Sequence, residues 1–378
     1  MNDGGSSASV VAPRDALVTD PPVAAGSGPA AGGDAAFAGW PAVLGTLSRG
    51  GDLAGDQARA VMAEILDGAA TPAQIAGFIV ALRMKGETVD ELAGMVDAMV
   101  AAAERVTLDP GVSAVDIVGT GGDRAHTINV STLSALVVAG AGGRVCKHGN
   151  RAASSSTGAA DVLEALGVRI DCGPELVARC VAEAGIGFCF APRFHPAMRH
   201  AGPPRRELGI PTAFNFLGPL ANPAGVRRLM IGVADPSMAE RMVGVLASRG
   251  AERVLVVHGD DGLDELTIAT TSQVVELRDG RISTFTVDPR TLGITLAPGE
   301  AVVGGDPATN AALTRKVLEG EAGPHRDIVT LNAAAGLVAA GLVDDLPAGL
   351  DAARASLDEG RAAAALDSLV AVSNTPEP

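Results

Sequence analysis

Three strings in this 378-residue chain have the composition of a site that handles phosphate together with a divalent cation. The first, DIVGTGGD at 116–123, runs from a β-branched stretch into a glycine cluster, and NVST follows at 129–132. Glycines let a backbone approach a ligand closely, and the N–H groups of such a turn and of a following helix N-terminus attract anions. The spacing fits neither the GxGxxG fingerprint nor the P-loop, so a dinucleotide or ordinary nucleoside triphosphate site is not indicated. The second, VCKHGNRAASSSTG at 145–158, holds Lys147, one of only three lysines, beside His148, Arg151 and four consecutive hydroxyls. Lysine supplies a point charge for phosphate, arginine a fork, and hydroxyls neutral donors. A solvated basic loop would account for the charges alone. Here, however, they interleave with Gly and Ser in an acidic protein. The third, VHGDDGLDE at 257–265, gathers carboxylates after a β-branched run. An acidic surface turn is the plainer reading. Mg²⁺, though, takes one or two carboxylates along with phosphate oxygens and water, and the spacing is not that of an EF-hand.

A fourth region is aromatic. Phe188, Phe190, Phe194, Phe214 and Phe216, five of the eight phenylalanines, share a window with His195, Arg205 and Arg206. Core packing accounts for most of these rings. An aromatic surface beside His195 and Arg205 would also suit a flat, anionic, aromatic substrate. No Ser-His-Asp or Cys-His ordering stands out, and the six histidines do not pair at zinc-ligand spacing.

These strings need elements to hold them. Apolar residues recur at helical spacing over 40–47, 54–66, 71–85 and 88–103. Thr71-Pro72 and Thr88 with Glu91 are helix-start signals, and Gly68 and Gly86 stand where helices should stop. After Pro110 the pattern changes. Short β-branched runs at 114–118, 144–147, 229–233 and 253–257 alternate with helical stretches at 132–141, 160–166 and 237–249, predicting an α/β fold with a mostly parallel central sheet flanked by helices. Runs at 273–278 and 282–287 around Asp279-Gly280 predict a hairpin, and helices follow at 311–319, 327–340 and the C-terminus. Two glycine-rich loops after successive strands should meet at the carboxyl edge of the sheet, where α/β proteins bind ligands. Residues 1–36 lack apolar periodicity and read as a disordered tail. The expected organisation is thus a tail over 1–36, a small helical domain over 37–108 joined by helices from about 196–220, and an α/β domain over 109–378.

Composition narrows the classes. With 47% hydrophobic residues the chain can bury a sizeable core, and 29 basic against 44 acidic residues leaves −15, the wrong sign for binding nucleic acid. Four cysteines without CxxC spacing point to a reduced, cytoplasmic protein, and the longest apolar run, 133–143, is too short to cross a bilayer. The first twenty residues lack the basic start and apolar stretch of a secretory signal.

Taken in order, GTGGD (119–123), NVST (129–132), KHGNR (147–151), HPAMR (195–199), FNFLGPLANP (214–223) and VHGDDGLDE (257–265) closely resemble the anthranilate phosphoribosyltransferase family of tryptophan biosynthesis. The resemblance runs from about Trp40 into the C-terminal helices. It implies a small helical domain joined to a larger α/β domain, a homodimer formed through the helical domain, and two Mg²⁺ ions per subunit. The implied reaction moves 5-phosphoribose from phosphoribosyl diphosphate to the amino group of anthranilate. By position, the resemblance assigns the donor to Gly119, Gly122, Asp123, Thr127, Asn129, Val130, Ser131 and Thr132, then to Lys147, His148, Gly149, Asn150, Arg151, Ala152, Ala153, Ser154 and Ser155, with Ala159. Ser131, Asp264 and Glu265 would take Mg²⁺. Gly119, Asn150 and Arg205 would contact anthranilate, with His148, His195 and Pro219 nearby, and Arg205, Asp264 and Glu265 would be the catalytic residues. Two positions depart from the family. Pro211 stands where many relatives have arginine, and Ala159 where many have serine, which leaves at most a backbone contact there. The same fold also houses pyrimidine nucleoside phosphorylases, which lack an Asp-Glu metal pair, and would house a non-catalytic nucleic-acid-binding relative. Asp264-Glu265, KHGNR and the net charge favour the transferase.

Overall fold

The computed structural model describes residues 37–152 and 156–377, so the expected tail over 1–36 lies outside the described residues. The chain opens with α1 (Trp40–Ser48), α2 (Gly55–Leu66), α3 (Pro72–Lys85) and α4 (Val89–Ala101), where the periodicity placed helices. Thr71 and Thr88 each cap the backbone N–H three residues on, and Gln74 and Glu91 reach back in reciprocal capping boxes. Glu91 does more than cap. It is fully buried, accepts from the Leu53 N–H at 2.8 Å, and pairs with Lys85 Nζ at 2.8 Å. One carboxylate thus ties the start of α4 to the end of α3 and to the approach to α2.

Seven strands form one sheet: β1 (Val115–Gly119), β2 (Val145–Gly149), β3 (Ile186–Phe190), β4 (Arg228–Gly232), β5 (Arg253–Gly259), β6 (Ser272–Arg278) and β7 (Arg281–Val287), in the order β3-β2-β1-β4-β5-β6-β7. The first five are parallel and the last two antiparallel. Asp279 and Gly280 both take positive φ, 52° and 74°, which a two-residue I′ hairpin turn requires. Helix α5 (Val130–Gly140) joins β1 to β2, while α6 (Ala159–Ala165) and α7 (Pro174–Ala184) lead into β3. The sequence reading gave no strand at β3, because IGFCF merged into the aromatic cluster behind it. Its Gly187 explains the packing: a Cβ there would lie 2.6 Å from the Val177 carbonyl of α7.

The central strands are covered on both faces, which is why they read as apolar runs. Val115, Ile117, Met230, Leu255 and Val257 pack into one core with α5 and helix Pro324–Ala340. Their strand neighbours Val118, Leu229, Ile231, Val254 and Val256 pack into a second core with helix Ala239–Ser248 and the four N-terminal helices. Ala201, Phe214, Phe216, Leu217 and Leu220 join that second core. The helical bundle is therefore fastened to one face of the sheet.

Glu91→Ala leaves the Leu53 and Thr88 N–H groups without their acceptor and takes one of two carboxylates from Lys85, which keeps Asp52 and the Gly86 carbonyl. The expected loss is about 2–4 kcal/mol of unfolding free energy, read by denaturant titration.

Candidate functional site

Strand order reverses between β1 and β4: the chain leaves β1 outward to β2 and β3, then returns to β4 on the other side. Loops leaving the carboxyl ends of such neighbours diverge and open a crevice. The loop after β1 stays irregular from Thr120 to Asn129 and turns through positive φ at Gly121 (66°), Gly122 (92°), Arg124 (59°) and His126 (53°). The last two are strained for side-chain-bearing residues and need support from outside the loop.

The acidic loop after β5 enters this crevice. Gly121 N–H donates to Asp264 Oδ2 at 2.7 Å. A Cβ at Gly119 would fall 2.6 Å from that same oxygen, and one at Gly232 would fall 1.6 Å from the Asp264 carbonyl oxygen. The glycines ending β1 and β4 therefore make room for the carboxylate. Asn332, fully buried on helix Pro324–Ala340, holds the next residue: its Oδ1 accepts from Leu266 N–H at 2.9 Å and its Nδ2 donates to the Leu266 carbonyl at 2.9 Å. No reading of the sequence gave Asn332 a role, because an asparagine inside an apolar helix carries no spacing signal.

Asp264 and Glu265 are buried. Burial, then Glu265 and Asp123, push the Asp264 carboxyl well above its usual range. Burial also lifts Glu265 to about 8, with Lys147 opposing and Asp123 adding to the rise. Such a cluster of mutually repelling acids suits a divalent cation. Among the described residues no three His, Cys, Asp or Glu side chains form a complete metal cage. Mg²⁺ is held by one or two carboxylates and completes its shell with phosphate oxygens and water. Ser131 Oγ lies in the same network and accepts from Lys147 Nζ at 3.2 Å. Asp260 and Asp261 are engaged elsewhere: Asp260 accepts from Thr271 and Gln273, and Asp261 accepts from the Thr267 hydroxyl at 2.8 Å. For those two acids the structural-turn reading holds. Beside the glycine loop is a cavity of about 330 Å³, bordered by Asp123, Thr127, Asp261, Leu263, Glu300 and Val302.

The second string is placed differently from a simple basic loop. Lys147 is 1% exposed on β2, inside the sheet. Its ammonium donates to the Ile117 carbonyl, and Asp116 and Glu265 are the acids that favour its charge against burial. Asp116 is itself fully buried and raised to about 6 by that burial; it accepts from His148 N–H at 3.1 Å and Asn222 Nδ2 at 2.8 Å. Arg151 does not present a free fork. It pairs with Asp161 at 2.8 Å and Glu164 at 2.9 Å on α6, and Asp161 also accepts from the N–H groups of Ala152 and Gly158. Charge counting along the chain missed this, because both acids follow ten or more residues later on another element. Val130 and Thr132 turn their side chains into the core, and the N–H groups of that first turn are engaged as well: Val130 on the Ile128 carbonyl, Thr132 on that of Asn129 and Ser131 on Glu265. Asn129 lies at the head of α5, Gly149 ends β2, Asn150 follows it exposed, and Ala159 opens α6. Ala153, Ser154 and Ser155 lie outside the described residues.

An apolar wall adjoins β2. His148 Nδ1 bonds the Gly218 carbonyl at 3.0 Å, so Nδ1 carries the proton and Nε2 is a bare acceptor, buried and without a partner among the described residues. The ring of His195 lies 5.1 Å from that of His148, and its Nε2 donates to the Ala221 carbonyl at 3.0 Å. Gly218 belongs to helix Phe214–Leu220, which also carries Pro219. At the head of that helix the Arg205 guanidinium lies over the Phe214 ring at 5.4 Å, with no paired carboxylate among the described residues. Phe188, Phe194, Phe214 and Phe216 are core residues, as the packing reading has it.

Comparison with known proteins agrees with this fold. Residues 41–103 match the model of the glycosyl transferase family helical bundle domain, and residues 111–363 that of the glycosyl transferase family a/b domain. The chain is 56% identical over 333 residues to the anthranilate phosphoribosyltransferase of Rhodococcus jostii, covering 86% of this chain and 91% of that protein. It is 56% identical over 339 residues to that of an Arthrobacter species, covering 88% and 96%. Among solved structures, the anthranilate phosphoribosyltransferase of Thermus thermophilus aligns with a TM-score of 0.84 at 44% identity, covering 88% of this chain and 99% of that one. The Saccharomyces cerevisiae protein, in complex with PRPP and Mg, aligns with a TM-score of 0.81 at 26% identity, covering 88% and 97%.

Burial, with His195 close by, depresses His148 from 6.5 to about 3, and burial also lowers His195. Below pH 6.5 the unfolded chain takes up protons that the folded His148 refuses until about pH 3, so this histidine makes stability fall as pH falls through that window. His148→Gln should flatten the acid limb of unfolding free energy against pH.

Proposed function

The chain belongs to the anthranilate phosphoribosyltransferase family, and on that premise we propose that it moves the 5-phosphoribosyl group of phosphoribosyl diphosphate to the amino group of anthranilate, releasing diphosphate, in tryptophan biosynthesis. The observation that carries this reading is the contact between Gly121 N–H and Asp264 Oδ2 at 2.7 Å, which brings an anion-cradling loop against buried acids suited to a cation. Ser131, Asp264 and Glu265 would hold two Mg²⁺ ions per subunit, and bound Mg²⁺ would stabilise charge on the departing diphosphate. Backbone N–H groups of the glycine loop beyond Gly121 would face the same developing charge, while those opening α5 are taken by the Ile128 and Asn129 carbonyls and by Glu265. From the second loop, Gly149 and Asn150 would offer backbone, the Ala152 N–H being held by Asp161, while Lys147 acts from inside the sheet by keeping Ser131 and Glu265 in place.

Anthranilate is an aromatic amine, neutral near pH 7 and already nucleophilic, so positioning should outweigh a strong base. Arg205, with no carboxylate pairing it among the described residues, is suited to the anthranilate carboxylate; Gly119 and Asn150 would bound the other side of the ring. The neutral His148 and His195 would line the apolar wall. A homodimer assembled through the helical bundle belongs to the same proposal. So does a cytoplasmic location, supported by four free, buried thiols; no helix of the described residues is long and apolar enough to cross a membrane.

Loss of anthranilate fluorescence should require protein, phosphoribosyl diphosphate and Mg²⁺ together, and EDTA should stop it. Asp264→Asn with Glu265→Gln keeps the shapes of the two buried acids and removes their charge, and in protein shown by circular dichroism to be folded turnover should drop about 100-fold or more; near-normal turnover would remove these acids from the mechanism. Arg205→Ala should raise KM for anthranilate about 10–100-fold and leave donor KM nearly alone. An unchanged anthranilate KM overturns that role.

A further inference from the structure

Segment 302–310 contains none of the site strings, yet it is hydrogen-bonded to both glycine-rich loops. On the first loop, Ile128 N–H donates to the Val302 carbonyl at 3.0 Å and Gly304 N–H donates to the His126 carbonyl at 2.9 Å, flanking a bridge between Thr127 and Val303. On the second, the hydroxyls of Ser156 and Thr157 donate to the Gly305 carbonyl at 2.9 and 2.7 Å. Asn310 closes the arrangement. It lies on helix Pro307–Leu318 and is 1% exposed. Its Oδ1 accepts from Gly305 N–H at 2.7 Å, and its Nδ2 donates to Asn129 Oδ1 at 2.9 Å. Asn129 in turn donates its Nδ2 to the Thr157 carbonyl at 2.9 Å.

We propose that Asn310 is a positioning residue for the phosphoribosyl donor: through Asn129 and Gly305 it locks the two donor loops into one mutual arrangement and thereby sets donor affinity. This rests on the donor-loop reading given above. The first loop cannot hold its shape alone, because Arg124 and His126 occupy left-handed backbone. The second leaves β2 at Gly149 and reaches α6 only at Ala159. A ring of bonds through 129, 157, 305 and 310 makes them one unit before the ligand arrives, so the ordering cost is not taken from binding.

Only an amide meets the requirement at 310. One oxygen must accept from Gly305 while a donor faces Asn129. Aspartate offers two acceptors and would set an oxygen against Asn129 Oδ1. If Asn129 turned its amide over to donate, it would lose the Thr157 carbonyl. Either way one buried polar group is left unpaired. The fit is tight from the other side as well: a Cβ at Gly304 would fall 2.4 Å from Asn310 Oδ1.

Wild-type protein and Asn310→Asp are titrated calorimetrically with phosphoribosyl diphosphate and Mg²⁺ in the absence of anthranilate, and both are followed in steady state. Donor Kd and donor KM should rise about tenfold or more while the anthranilate KM stays nearly unchanged, a split that general loosening of the fold would not give. Wild type and variant binding the donor equally would overturn the role of Asn310 and leave the function standing. A wild-type protein that binds no donor would overturn the functional reading and this inference with it. Should Asn310→Asp fail to fold, Ser156→Ala with Thr157→Val removes the hydroxyl bonds to Gly305 and leaves Asn310 in place. A weakened donor Kd with unchanged anthranilate KM then supports the lock, and an unchanged donor Kd refutes it.

Discussion

Lys147 carries an ammonium into the middle of a parallel sheet where only 1% of the residue reaches solvent. A charge desolvated to that degree persists only with opposite charge and hydrogen-bond acceptors around it. Asp116 supplies one side, Glu265 the other, and the Ile117 carbonyl and Ser131 Oγ complete the shell. Each partner comes from a different piece of the chain: β1, the loop after β5 and the first turn of α5. Satisfying one buried cation therefore fixes three backbone segments relative to one another. It also places the acid pair where a metal-complexed diphosphate would meet the glycine loop. The electrostatics leave the rest of the site acidic, since Asp264 has no cation paired with it among the described residues.

The surrounding fold answers two further requirements. Strand reversal between β1 and β4 opens a crevice, and glycines at the ends of both strands let the 264–266 segment pass through it. Irregular loops at such a crevice cannot satisfy their own backbone, so buried amides from the C-terminal helices do it for them. Asn332 holds both polar groups of Leu266, and Asn310 joins the loops after β1 and β2. Both asparagines are buried, which is affordable for an amide whose donors and acceptor are occupied.

The acceptor side of the crevice is built on another principle. His148 and His195 are neutral, each donating to a backbone carbonyl on or just after helix Phe214–Leu220. Arg205 leans on Phe214 rather than on an acid. A neutral apolar wall with one cation at its rim is what a flat anionic ring with an uncharged amine would require, which is the role proposed for it above.

Much of this was legible in the chain. Period-3.6 apolar spacing, β-branched runs, capping boxes at Thr71 and Thr88, and the Asp279-Gly280 turn marked the N-terminal helices, the parallel strands other than β3 and the hairpin, because each is decided by neighbours within a few residues. The glycine, lysine and acid strings identified the family, and Asp264 and Glu265 do meet the GTGGD loop. What adjacency along the chain could not reveal was which charges are already occupied. Arg151 looks like a free fork until α6 folds back to bring Asp161 and Glu164 against it, and Lys147 looks like a surface charge until β1 and β3 close around β2. Asn310 and Asn332 are single amides in apolar helices with no spacing to mark them; their roles arise only when segments far apart in the chain are packed together. Residue type and local period determined the elements and the chemistry on offer. Burial and long-range pairing decided which groups are left free to use it, because the cost of desolvating a charge or an amide is set by everything that folds around it.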